Sequence, residues 1–139
     1  MLRIVIDTSV LISGVYNPTG TPAGVLALAR KKAIQNITSS FILCELERIL
    51  KDKFRWEESR IEKISAWVKS FSQIVTPQET LSVISHLSDN RILECALAGE
   101  ASFIISGDHH LTDLKMYREI HILNPADFLE ALTGDRIEA

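Results

Sequence analysis

Three consecutive aliphatic residues, Ile4-Val5-Ile6, run directly into an acid, Asp7. An unbroken apolar run, as opposed to an alternating one, marks a strand covered on both faces, the condition met in a parallel sheet flanked by helices. The pattern returns late in the chain, where Phe103 to Ser106 breaks at Gly107 and delivers Asp108. Strands of this kind need long crossovers between them, so the intervening sequence must be largely helical.

The spacing of apolar residues agrees. Residues 2–6 predict a strand, followed by a short helical segment over 8–14 and a turn at Asn17 to Gly20. Thr21-Pro22 reads as a cap and a proline at the first helical position of a helix reaching about Lys32. Residues 34–38 suit a short strand. Ser39 or Ser40 caps a helix through about Lys53, with Ile42, Leu43, Leu46, Ile49 and Leu50 on one side. A further helix covers 57–70, and 73–76 is extended before Pro77. A helix over 89–98 begins at Asp89, with Ser88 as an alternative cap, and stops at Gly99. Residues 119–123 form a last strand, and Asn124-Pro125 turns the chain into a final amphipathic helix. Alternating strands and helices predict an α/β fold with a mostly parallel sheet.

At 139 residues the chain is expected to form a single domain, 1–139, with one core and no covalent staples. With 46% hydrophobic and 24% charged residues it reads as a soluble globular protein. No secretory signal and no membrane-spanning run is visible, which points to an intracellular, cytoplasmic protein without a membrane partner. Cys44 and Cys95 are expected to be buried free thiols. A net charge of −3 excludes a broadly basic nucleic-acid surface but not a local one.

The acids invite a closer reading, because ligands of open parallel sheets bind off the carboxyl ends of the strands. Asp7 and Asp108 both belong there. Each alone is explained as a helix cap. Asp89, at a helix start, is favoured there by the helix dipole. Glu45 and Glu47 flank the apolar face of their helix at similar angles, and periodicity does not choose between them. Hard divalent ions take oxygen ligands, so a set of carboxylates is suited to Mg²⁺ or Mn²⁺. A capping aspartate can leave one oxygen free for such an ion.

These residues resemble the PIN-domain family. "VIDTSVLISG" is similar to its first acidic motif, "SSFILCELERILKDKF" to its glutamate-bearing helix, "DNRILECALAGEASFIISGD" to its most diagnostic block, and "HILNPADFLEAL" to its last strand and helix. The resemblance implies a three-layer α/β/α sandwich and a metal-dependent nuclease acting on RNA. It implies catalytic and metal-binding roles for Asp7, Glu45 (not Glu47), Asp89 and Asp108. It also implies homodimers and VapC-like toxin halves of toxin–antitoxin pairs, hence a small antitoxin partner. Two positions depart from the family pattern: His86 falls near the place of an extra acid, and His110 stands where a second acid often follows Asp108.

Around the acids, Thr8 and Ser9 offer hydroxyls for a ligating carboxylate or a phosphate, or for local capping. Asn90 is either a support to the site or an exposed residue, and His110 either modulates the acids or lies free in a loop. His86, His109 and His110 lack the spacing of a helical zinc motif. Cations for an RNA backbone are offered by Arg48 and Lys51, beside Lys53 and Arg55, and by the run Arg30, Lys31, Lys32. Trp56, Trp67 and Phe71 suit a dimer face or the core. Two rival classes remain: a catalytically weak or inactive scaffold of the same fold that binds RNA or a protein, and a phosphotransfer receiver. The receiver is disfavoured because residues 2–8 carry only one acid and Lys115 lies outside strand-like sequence.

Overall fold

Ile4, Val5 and Ile6 are completely buried because strand β1 (Arg3–Ile6) lies in the middle of the sheet. The computed structural model describes residues 1–134 of the 139. The single-domain expectation extends to Ala139, and residues 135–139 lie outside the described residues. The remaining strands are β2 (Gln35–Thr38), β3 (Ser72–Ile74), β4 (Phe103–Ile105), β5 (Met116–Tyr117) and β6 (Ile120–Leu123). They pair in the order β3-β2-β1-β4-β6-β5. Every pairing is parallel except β5 with β6.

Helices α1 (Thr8–Tyr16), α2 (Thr21–Arg30), α3 (Ser40–Asp52), α4 (Glu58–Ser70), α5 (Leu87–Ala98), α6 (His109–Thr112) and α7 (Pro125–Thr133) flank this sheet and complete an α/β/α sandwich. Helix α5 packs on β1, β2 and β4, while α1 pairs with α2 and α3 with α4. Gly99, after α5, lets the helix end close on β2: a Cβ there would run into Ile37 Cγ2. The mostly parallel α/β architecture follows the sequence expectation.

Two helix starts differ from the sequence reading in the residue that holds the cap. Gly20, not Thr21, occupies the cap of α2, which puts Pro22 at the second helical position, where its missing N–H is still harmless. Helix α5 begins at Leu87, so Asp89 lies inside the first turn and His86 holds the cap position. The two-residue edge strand β5 and the single turn α6 have too little sequence to show periodicity.

One expectation needs correction. Cys44 is exposed: one residue past Leu43, it is rotated about 100° off the buried stripe of α3. Cys95 is buried as expected, and burial pushes its thiol up to about 12. Of the aromatics offered for a dimer face or the core, Phe71 is in the core and Trp56 and Trp67 are half-buried against it. Phe71 is buried and meets Trp67 edge-on at 5.0 Å, while Trp56 is sandwiched between Tyr16 and the Arg60 guanidinium.

Candidate functional site

The sheet ladder sets the position of the first acid. Beyond the last residue of β1, Asp7 N–H still donates to the Ile105 carbonyl at 3.0 Å, and Ser106 N–H donates to Leu123 at 2.9 Å. Asp7 and Ser106 are therefore fixed side by side at the carboxyl edge of β1 and β4. Asp7 also caps α1: its Oδ1 accepts from Val10 N–H at 3.0 Å and from the Ser9 hydroxyl at 2.8 Å. The Ser106 hydroxyl donates to Asp7 Oδ2 and accepts from Asp108 N–H at 3.0 Å. One serine thus ties together two acids separated by a hundred residues of chain. Asp108 caps the α6 turn through His110 N–H at 2.9 Å. Capping and gathering coexist at both strand ends, as a carboxylate with two oxygens allows.

Asp89 comes from the first turn of α5, and its Oδ2 meets His86 Nδ1 at 3.1 Å. Glu45 comes from α3. Asp7, Glu45, Asp89 and Asp108 line one cavity of about 200 Å³, walled on its apolar side by Phe41, Ile49 and Ile92. Thr8, Ser9, His86 and Ser88 complete the lining. Glu47, which periodicity could not separate from Glu45, lines a different groove with Arg48, Lys51 and Trp56.

The electrostatics are those of acids facing one another. Asp7 is 4% exposed, and burial, opposed by its hydrogen bonds and joined by the charge of Asp108, holds its carboxyl above the usual aspartate range. Asp89 is likewise raised, by burial first and then by Asp108, with His86 and His110 pulling it back. Like charges brought together out of water stabilise only when a cation joins them. Carboxylates from four elements line this pocket and suit a hard divalent ion, and among the described residues the donor atoms within 4.8 Å of one another are those of His86, Asp89 and Asp108 and those of Asp108, His109 and His110.

The other sequence candidates fall into place around this cluster. Ser9 supports Asp7 directly, and buried Thr8 lines the cavity. Arg48 pairs with Glu45 Oε1, while Lys51 is one turn further along α3 in the separate groove. The His86 and His110 rings stack at 5.6 Å. Arg30 lies in a mostly apolar groove of about 500 Å³ between α1, α2 and α4, away from the acids.

Asn90 is not exposed, and its side chain hydrogen-bonds to a loop and not to the acids. It is completely buried, and its amide clamps the preceding loop: Oδ1 accepts from Val83 and Ile84 N–H at 2.9 Å each, and Nδ2 donates to Ile84 carbonyl at 2.7 Å. Any support it gives the site passes through that loop. Sequence reading missed two neighbours of this kind. Glu94, buried, accepts from Leu81 N–H and from Arg91, both at 2.7 Å. Ser106 lay within the quoted Ser-Gly turn, and its adjacency to two strand-end acids was the available signal.

An α/β/α sandwich with acids at the carboxyl edge of a parallel sheet is the arrangement implied by the motifs. The PIN domain family matches residues 3–110, and the chain belongs to that family. It is 34% identical over 141 aligned residues to the uncharacterized protein MJ1680 of Methanocaldococcus jannaschii, covering 93% of this chain and 90% of that protein. The fold is similar to that in a crystal structure of VapBC2 from Rickettsia felis bound to a DNA fragment from its promoter, with a TM-score of 0.64 and 15% identity. That likeness covers 88% of this chain and 98% of the other. Among the described residues, no helix is long and apolar enough to cross a membrane.

Proposed function

We propose that this protein is a divalent-metal-dependent endoribonuclease of the cytoplasm, and the toxin half of a pair completed by a small antitoxin protein. The observation that carries the reading is convergence: Asp7, Glu45, Asp89 and Asp108, from four elements, line one small cavity. PIN membership and the likeness of fold to VapBC2 support it.

In this reading the four acids hold one or two Mg²⁺ or Mn²⁺ ions. Such a metal, when bound, offsets charge on the scissile phosphate and lowers the pKa of the attacking water. The chain's own groups do the rest. Ser9, Ser106 and Val10 N–H fix both oxygens of Asp7, so it meets its ligand without reorganising. Phe41, Ile49 and Ile92 add apolar wall to the cavity. Asp89 or Glu45 is the carboxylate placed to take the proton of the water, the first paired with His86 and the second with Arg48. The test is cleavage of single-stranded RNA with Mn²⁺. Asp7→Asn and Asp108→Asn are each expected to lose activity by on the order of a hundredfold or more; unchanged cleavage in both contradicts the mechanism.

A second reading, a scaffold that binds RNA or protein without cutting, is favoured by one observation: Arg48 and His86 already pair with two of the four acids. Thermal melting separates the readings. Mn²⁺ at 100 times its dissociation constant stabilises a true binder by about 2.7 kcal/mol, and a scaffold with a broken site not at all. A homodimer belongs to the same proposal, and sedimentation tests it.

A further inference from the structure

We propose that His86 is a ligand of the metal ion, alongside Asp89 and Asp108, and that its imidazole turns the site from Mg²⁺ toward borderline transition cations such as Co²⁺. The inference rests on the reading above, that the acids bind a divalent ion, and adds which ion they prefer and why. One donor atom from each of His86, Asp89 and Asp108 lies within 4.8 Å of the other two. His86 Nδ1 is 3.1 Å from Asp89 Oδ2. That contact is a hydrogen bond, shared with the Ser88 hydroxyl at 3.2 Å; cis ligands at about 2.1 Å from an octahedral ion also lie about 3 Å apart, so an ion can replace the bridging proton with little movement of the pair.

The backbone that carries the imidazole is also held in place. His86 sits at the cap position of α5 without making a cap hydrogen bond, and its side chain, 57% exposed, lies on the rim of the cavity. The loop leading to it is pinned by Asn90 at Val83 and Ile84 and by Glu94 at Leu81. The His110 ring stacks on that of His86 at 5.6 Å, inclined by 25°. Those buried polar clamps hold backbone rather than ligand, and they reduce the freedom His86 has to leave the site. Carboxylate and water suit Mg²⁺ and Mn²⁺, whereas adding imidazole favours ions later in the Irving–Williams order.

The probe is the metal alone. Mn²⁺-loaded protein is examined by electron spin-echo modulation, which detects a nitrogen bound to the ion, and Co²⁺ and Mg²⁺ affinities are measured by calorimetry. The wild type is expected to show coordinated nitrogen, which His86→Ala abolishes and His109→Ala leaves. His86→Ala should weaken Co²⁺ by at least about tenfold, the scale of lost metal-site contacts, with far less change for Mg²⁺. His86→Asp should narrow the preference for Co²⁺ over Mg²⁺. Mn²⁺ bound without a nitrogen signal overturns the role of His86 while leaving the acidic site standing. A nitrogen signal that survives His86→Ala and vanishes in His109→Ala or His110→Ala also overturns it, and gives the role to the second donor set, Asp108, His109 and His110. Absence of any Mn²⁺ uptake removes both the inference and the reading beneath it.

Discussion

Asp89 and Glu94 lie on one helix, are equally buried at 6% exposure, and have opposite surroundings. Glu94 is answered within the fold: Arg91 donates to it, and so does the Leu81 backbone. Asp89 looks across a cavity at Asp108 and, beyond it, Asp7, with one histidine as partner. The first arrangement closes a loop onto a helix and leaves no charge to be met. The second leaves carboxylates concentrated where only an added cation relieves them. Burial of an acid is therefore not itself a functional sign; what separates the two is whether the neighbours are of opposite or like charge.

The comparison predicts different failures for the two acids. The largest difference is expected in RNA cleavage per folded molecule: Asp89→Asn should lose it by on the order of a hundredfold, whereas Glu94→Gln should keep it. In stability the order reverses. Glu94→Ala leaves the Leu81 N–H without its acceptor and Arg91 with only the Leu81 carbonyl, and should cost about 2–3 kcal/mol by chemical denaturation. If Glu94→Gln also abolished cleavage at full stability, the division between the two acids would fail.

Asp7 sharpens the comparison through pH. Its carboxyl is raised above the ordinary aspartate value, chiefly by burial. The folded protein therefore binds a proton that the unfolded chain releases. The stability contributed by that group is fully present below the unfolded value and is lost as pH rises through the folded one. Without divalent metal, Asp7→Asn should thus raise the melting temperature at neutral pH, with an advantage that shrinks toward the acid range. A chain of this size shifts by about 2–4 °C per kcal/mol. Asparagine keeps the capping role, and added Mn²⁺ should reverse the ranking by stabilising only the wild type. The smallest effect is expected at the rim. Arg48 pairs with Glu45, and Lys51 lies in a neighbouring groove, so Arg48→Ala with Lys51→Ala should flatten the salt dependence of RNA binding by about 0.7 per lost phosphate contact.

The parts of this design that were legible in the sequence are those with a local signature. Ile4-Val5-Ile6 announced a strand covered on both faces, and an acid immediately after such a strand had to sit at its carboxyl end. Glu45 was ambiguous from periodicity alone, since Glu47 flanks the same apolar stripe; the motif resemblance named it, and the α3–α5 packing puts it in the cavity. The knot of Asn90, Arg91 and Glu94 was illegible because its partners are backbone atoms of a loop without periodicity, at Leu81, Val83 and Ile84. Ser106 was hidden for a related reason. Its value lies in the β1–β4 register, which brings it to Asp7 across a hundred residues of chain.

The central claim is that four separated acids share a cation, and calorimetric titration with Mn²⁺ meets it most directly. The wild type should take up the ion, and the combined Asp7→Asn and Asp108→Asn variant, still folded by circular dichroism, should not. No heat of binding in the wild type, or equal uptake by both proteins, would contradict the account.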